Sequence, residues 1–304
     1  MPYPPTPANV GANFTATLHS DSYPFINPAS QPTDRKHAGK TVFVTGGTKG
    51  IGRATVLSFV QAGASRIAVA ARDFEAVRKV CVEALSTAES AGLPAPDMLP
   101  LKLDVCSSES VAAAADAVKT KWGSLDILVN NAGHLASFVP ILEGDEGDWW
   151  RTWEVNVKGV YAVTKALLPL MLESGTGDKT IVNLSSMLAM ALYPGSSAYQ
   201  ASKLAVMSLT EALMVDYFDK GLLAYSIHPG AVETDLANNM PGDAVKQFCV
   251  DTPQLSADTI TWLTRERRDW LAGRYISANW NMSEMEARKD EIVEKDLLRM
   301  KFVC

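Results

Sequence analysis

Tyr199 and Lys203 stand four residues apart in the run Tyr199-Gln-Ala-Ser-Lys203, which opens a predicted helix. At that spacing two side chains share one helix face. A phenol with its ordinary pKa near ~10 exchanges protons poorly at neutral pH. A neighbouring ammonium favours the phenolate and lowers that pKa. The pair therefore supplies a tunable acid–base group, as reduction of a carbonyl requires. Tyr and Lys recur on helices everywhere, so the spacing gains weight only from its company.

A second constellation is Thr45-Gly-Gly-Thr-Lys-Gly-Ile-Gly52, between a predicted strand and a predicted helix. Gly46, Gly50 and Gly52 permit a tight turn in which a pyrophosphate can approach backbone N–H groups, with Thr48, Lys49 and Ile51 between them. The following helix points its positive end at the same spot. The spacing differs from the general G-x-G-x-x-G fingerprint, but a strand before and a helix after is the context a dinucleotide site requires.

The predicted second strand ends in Val69-Ala-Ala-Arg-Asp73. NAD-binding folds place an acid at such a strand end to hold the ribose 2′-hydroxyl. Ala71 occupies that place, Arg72 follows it, and Lys49 adds a cation from the glycine turn. Two cations and a missing acid suit a 2′-phosphate, hence NADP(H) over NAD(H). The competing views are that Asp73 holds the ribose rather than capping the next helix, and that Lys49 and Arg72 are ordinary solvated charges.

The elements that must position these groups alternate regularly from Gly39 onward. Strands are predicted at Thr41–Thr45, Arg66–Ala71, Met98–Val105, Leu125–Asn130, Thr180–Ser185, Leu223–His228 and Arg274–Ser277. Helices are predicted at Arg53–Ala62, Phe74–Ala91, Ser108–Trp122, Asp148–Glu173 and Ala198–Asp219. Continuous apolar strands separated by helices indicate a parallel sheet covered on both faces. The expected class is α/β, a single-domain Rossmann fold with a doubly wound parallel sheet of about seven strands.

The motifs taken together, in this order, resemble the short-chain dehydrogenase/reductase superfamily in its "classical" subgroup, from about Gly39 to Ser277. The matching elements are the Thr45–Gly52 turn, Asp104-Val105, Asn130-Asn-Ala-Gly133, Asn156, Ser186, Tyr199 with Lys203, and Pro229-Gly230. Ser186 precedes Tyr199 by thirteen positions. The long terminal extensions look like those of fungal members.

That resemblance implies roles. Tyr199 would protonate the developing alkoxide in reduction or deprotonate an alcohol in oxidation. Lys203 would hold the nicotinamide ribose and lower the Tyr199 pKa. Ser186 would hydrogen-bond the substrate oxygen, and Asn156 would kink its helix and position a water linking Lys203 to solvent. Asp104 and Val105 would meet the adenine, Asn131, Ala132 and Gly133 would line the cofactor, and Pro229, Gly230, Val232 and Thr234 would reach the carboxamide end. Taken singly, Asp104 could be a strand-end cap, Asn131 a turn residue and Pro229-Gly230 a plain chain reversal.

Composition narrows the remaining classes. A chain of 304 residues with 47% hydrophobic and 20% charged residues has the make-up of a globular enzyme. A net charge of −6 gives no global attraction to nucleic acid or to an anionic membrane. The four cysteines, Cys81, Cys106, Cys249 and Cys304, form no CxxC pair, which suggests reduced thiols, a cytoplasmic protein and no metal site. His134 and His228 likewise lack metal-ligand partners at useful spacing; the first reads as a loop residue near substrate, the second as a buried strand end. The sequons at Asn13, Asn183 and Asn281 are read as unused. Residues 1–37 form an irregular segment, either a disordered tail or an arm pinned to the core by Phe14, Leu18, Tyr23, Phe25 and Ile26. Residues 38–280 form the catalytic domain and 281–304 a helical tail on the core or on a partner.

The expected substrate is a medium-sized hydrophobic or aromatic ketone, aldehyde or alcohol. The loops beyond the strand ends carry Leu135, Phe138, Met187, Leu188, Met190, Leu192, Tyr193, Met240 and Phe248, either as pocket lining or as loop packing. Trp149, Trp150 and Trp153 read as packing or subunit contacts in a homodimer or homotetramer. The leading function is NADPH-dependent carbonyl reduction. Alternatives are oxidation of an alcohol, a non-redox cyclase or isomerase on the same scaffold, and a cofactor sensor without turnover.

Overall fold

Val42, Phe43 and Val44 have no solvent-facing side, so their strand must lie inside a sheet covered twice. The computed structural model describes residues 11–30, 37–173, 177–240, 245 and 247–301. Its strands are β1 (Thr41–Thr45), β2 (Arg66–Ala71), β3 (Asp97–Lys102), β4 (Ile127–Asn130), β5 (Thr180–Leu184), β6 (Leu223–His228) and β7 (Tyr275–Ser277). They form one seven-stranded sheet in the order β3-β2-β1-β4-β5-β6-β7, every pair parallel. The winding reverses between β1 and β4, which opens a crevice at the strands' carboxyl ends. The expected single-domain, doubly wound fold is the one observed.

The connecting helices are α1 (Gly50–Gln61), α2 (Phe74–Ser90), α3 (Ser108–Trp122), α4 (Glu146–Trp153), α5 (Val160–Leu172) and α6 (Ser197–Tyr217). Asp73 starts α2 by accepting the Ala76 N–H at 3.0 Å, the capping role weighed against ribose binding. Strand β3 ends earlier than predicted, because Asp104 turns the chain and accepts the Cys106 N–H at 3.0 Å. The predicted helix from Asp148 to Glu173 is broken in the middle by a π-helical stretch at Glu154–Gly159. The run Glu146–Leu172 is 27 residues long and apolar enough to cross a membrane by length and composition, but half of its most apolar stretch is buried inside this fold.

One helix, α7 (Pro253–Thr264), is absent from the sequence reading. Every residue from Leu255 to Thr264 is buried, so polar and apolar side chains alternate without leaving a solvent stripe. Its inward hydroxyls return to the helix itself: Thr259 to Leu255 O, Thr264 to Ile260 O. The readable signal was Thr252-Pro253, a cap followed by proline in the first turn.

Residues 11–30 lie against α7 and the chain beyond β7. Phe14 meets Trp280 at 5.0 Å and Phe25 meets Trp262 at 6.2 Å between ring centres. Ser22 donates to Asp258 at 2.5 Å, and the other oxygen of that carboxylate accepts Ser58 of α1 and Gln254 of α7, both at 2.6 Å. Two short helices follow β7, α8 (Met282–Ala287) and α9 (Lys289–Glu294), with Met282, Met285 and Ile292 wholly buried. Leu298 O accepts the Tyr275 N–H at 2.9 Å, so the tail hydrogen-bonds to the outer edge of β7. Cys304 and arm residues 1–10 and 31–36 lie outside the described residues; Cys81, Cys106 and Cys249 are free thiols. Asn183 is wholly buried within its strand, where a glycan has no room.

Trp280 is fully enclosed by Phe14, Tyr275 and the Gly11 carbonyl. Trp280→Ala is expected to cost about 3–5 kcal/mol in urea unfolding. A loss below about 1 kcal/mol would show that residues 11–30 are not part of the core.

Candidate active site

Strand β5 ends at Leu184 and delivers two serines of opposite duty. Ser185 is buried and donates to Lys203 O at 2.9 Å, tying the strand end to α6. Ser186 faces the other way, accepts the Leu188 N–H at 3.1 Å and hydrogen-bonds the Tyr199 side chain. The alternation along an extended chain produces this division.

Tyr199 and Lys203 share one face of α6, with Lys203 Nζ 5.5 Å from the Tyr199 ring centre. Their electrostatics differ from the sequence expectation. Burial pushes Tyr199 up to about 12, opposed by the Ser186 hydrogen bond. Burial brings Lys203 down to about 8. The ammonium, buried beside the β5 end, donates to Leu184 O at 2.8 Å and approaches the ring. Its spacing is right, but desolvation outweighs charge stabilisation of the phenolate. Tyr199 is therefore a neutral phenol at physiological pH, suited to giving a proton.

Asn156 sits wholly buried in the π-helical stretch. Its oxygen accepts the His134 N–H at 2.8 Å, while its Nδ2 donates to His134 O at 2.9 Å and Ser202 Oγ at 3.0 Å. The Asn156 amide thus clamps the β4 loop to α6. His134 Nε2 pairs with Asp148 at 2.9 Å. His228 accepts the Met187 N–H on Nδ1 at 3.1 Å, and burial lowers its pKa to about 4, so it is neutral.

The glycine turn fits a pyrophosphate. Gly46 is left-handed (φ 64°), and a Cβ at Gly52 would overlap the Gly46 carbonyl and lie 2.5 Å from Asn131 Nδ2. Lys49 at the start of α1 makes no side-chain cap, leaving the first N–H groups, beside half-buried Thr48 and Ile51, without a side-chain acceptor. Asn131 braces the turn, donating to Thr45 O at 2.8 Å and Gly46 O at 3.0 Å, and Ala132 N–H reaches Thr45 Oγ1 at 3.0 Å. Gly133 follows, 3.6 Å in Cβ terms from Asn156 Oδ1. Val105 packs under Gly159 of the π-helical stretch.

Two cations expected near a 2′-phosphate have different surroundings. Arg72 is exposed at the end of β2. Lys49 is paired with Asp235, because the Thr234 methyl rests against Gly50 and brings the loop after β6 over the turn. Pro229 and Gly230 begin that loop, and Val232 is buried in it.

A cavity of about 340 Å³ opens beside the start of α6, lined by Val139, Ile141, Asp148, Trp149, Trp150 and Ser197 among others. Trp149 and Trp150, read as packing, thus line a cavity, and Trp149 Nε1 donates to Ser197 at 3.2 Å. Of the residues expected to line a pocket, Leu135 is buried and Phe138 meets Tyr193 in a tilted pair at 5.5 Å between ring centres, whereas Leu192 and Phe248 are exposed. Asp251, missed in the sequence, touches the loop after β6 from twenty residues downstream, accepting the Ala231 N–H at 2.6 Å; no local pattern marks it.

The short chain dehydrogenase family model matches residues 40–244. The chain is 49% identical to the short chain dehydrogenase mpl6 of Monascus purpureus over 303 residues, the whole of both chains. Its structure is similar to a short chain dehydrogenase from Shigella flexneri complexed with NADP, with TM-score 0.70 and 27% identity over 81% of this chain and 99% of that one. It is also similar to the 3-ketoacyl-(acyl-carrier-protein) reductase of Brucella melitensis complexed with NADH, with TM-score 0.70 and 26% identity over 79% and 96% of the respective chains.

Lys203 is charged below about 8 and neutral above it, while Tyr199 keeps its proton up to about 12. For carbonyl reduction, kcat/KM is expected to be level around neutrality and to fall about tenfold per pH unit above that lower value. A profile level well beyond it would remove Lys203's charge from the reaction.

Proposed function

The chain belongs to the short-chain dehydrogenase/reductase family, and we propose that it is an NADP(H)-dependent reductase of a medium-sized hydrophobic or aromatic ketone or aldehyde. The observation that carries this reading is the half-buried Tyr199 side chain at the sheet's carboxyl end, hydrogen-bonded to Ser186 with Lys203 Nζ 5.5 Å from its ring centre. The glycine turn, Asn131-Ala-Gly133 and the loop Pro229–Thr234 would hold the nicotinamide nucleotide, whose reduced ring supplies a hydride when bound.

The chain's own residues handle the oxygen and the proton. Ser186 Oγ hydrogen-bonds the substrate carbonyl oxygen and favours the charge that develops there. Tyr199 transfers its phenolic proton to that oxygen. The Lys203 ammonium, beside the ring, stabilises the phenolate left behind. At neutral pH the phenol carries its proton, which is the form that carbonyl reduction calls for.

Support for NADP(H) comes from this chain rather than from its relatives, which include one complexed with NADP and one with NADH. The Asp73 carboxylate caps α2, Ala71 replaces an acid, and Arg72 is exposed beside them. The Trp149–Trp150 cavity, lined also by Val139 and Ile141 with Asp145, Glu146 and Asp148, and reaching Ala198 next to Tyr199, supports a substrate with an apolar body.

Tyr199→Phe is expected to cut steady-state reduction of a ketone panel with NADPH by two or more orders of magnitude, ~10²-fold at least, with nucleotide still bound; near-normal turnover would overturn the assignment. Arg72→Ala should raise the dissociation constant of NADPH roughly tenfold and leave that of NADH nearly unchanged. Equal effects on both would take Arg72 off the 2′-phosphate.

A further inference from the structure

The loop Pro229–Thr234 is supported from behind by residues outside the family match, which ends at 244. Asp251 is the centre of that support. Its Oδ2 accepts the Ala231 N–H at 2.6 Å, its backbone N–H donates to Ala231 O at 3.0 Å, and it forms a parallel bridge with Val232. Gly230 is left-handed (φ 86°), and a Cβ there would lie 2.8 Å from Asp251 Oδ2. The carboxylate occupies the space that a side chain would need.

Asp251 is in turn held by the N-terminal arm. Asn279 Nδ2 donates to the same Oδ2 at 2.9 Å and to His19 O at 3.0 Å. His19 N–H donates back to Asn279 O at 2.8 Å, and the next residue along from Asp251, Thr252, donates its N–H to Ser20 O at 2.8 Å. Thr252 Oγ1 also donates to Asp21 at 2.5 Å. An unbroken hydrogen-bonded path therefore runs from His19 through Asn279 and Asp251 to both backbone groups of Ala231, next to Val232. Ser256 of α7 adds a bond to Pro229 O.

We propose that Asp251 is a positioning residue for the nicotinamide end of the cofactor, and that the arm sets its orientation through Asn279. The inference rests on the reading of Val232 and Thr234 as contacts of that end. One oxygen accepts from both the loop and Asn279, so a neutral acceptor of the same shape can replace the carboxylate. A methyl group cannot: it leaves the Ala231 N–H and one of the two Asn279 amide hydrogens without an acceptor. Freed of that anchor, the loop loses the fixed geometry on which a precise contact depends.

The test compares two nucleotides that differ only in the nicotinamide, NADPH and 2′-phospho-ADP-ribose, titrated by calorimetry into intact wild-type protein and the Asp251→Ala, Asp251→Asn and Asn279→Ala variants. Asp251→Ala is expected to weaken NADPH by roughly tenfold, with 2′-phospho-ADP-ribose unchanged. Asn279→Ala should show the same selective loss to a smaller degree, and Asp251→Asn should restore wild-type binding. Equal weakening of both nucleotides by Asp251→Ala would make its role general to the fold and overturn the proposal, as would no change in either. If wild-type protein bound neither nucleotide, the nucleotide reading would fall first and this inference with it.

Discussion

An ammonium taken out of water must be given an acceptor, and the site depends on how Lys203 meets that demand. Its Nζ lies beside the end of β5 and is bonded to Leu184 O. Losing that one bond would leave a buried charge unpaired, a far larger penalty than the bond's own net value. The surroundings hold the geometry from several sides. Ser185 grips Lys203 O, Asn183 bonds Thr210 about two turns further along α6, and Ser226 of β6 bonds the same threonine. The helix cannot slide along the sheet without breaking this set. Tyr199, one turn ahead of Lys203, is thereby placed against Ser186.

The same logic extends across the crevice, with a difference of strength. Asn131 binds the glycine turn to the β4 end through two backbone carbonyls, so the two strands flanking the reversal share one rigid lip. The loop after β6 closes the other side and is held at both ends. At its start Asp251 is partly buried and bonded twice through one oxygen. At its far end Lys49 meets Asp235 in the open, where an ion pair contributes little. The loop is therefore firm near Ala231 and loose near Asp235, the distribution expected of a segment that must admit a large ligand.

Much of this arrangement was legible because it follows from local rules. Continuous apolar runs named the strands, the glycine turn named the nucleotide end, and Asp73 could be read as a cap from its place before Phe74. What escaped was set by tertiary surroundings. Helix α7 carries no polar stripe, since residues 11–30 and α1 cover what would have been its solvent face. The spacing of Tyr199 and Lys203 was plain, but the sign of the Tyr199 shift depends on burial, which spacing does not encode. Asp251 acts on a residue twenty positions away and answers to Asn279, twenty-eight positions beyond it, so no window of sequence contains its role. Trp149 and Trp150 were noticed yet given to packing, because a cavity is a property of several loops together.

The central claim is that Tyr199 is held as a neutral phenol by loss of hydration in a half-buried site. It is tested most directly by titrating the intact protein labelled at the tyrosine ring carbon bearing the hydroxyl, with Tyr199→Phe used to assign the resonance. The account predicts a Tyr199 signal that stays in its protonated position through neutral and mildly alkaline pH and moves only near about 12. A signal that titrates together with Lys203, near about 8, would contradict it and make Tyr199 a base activated by its neighbour.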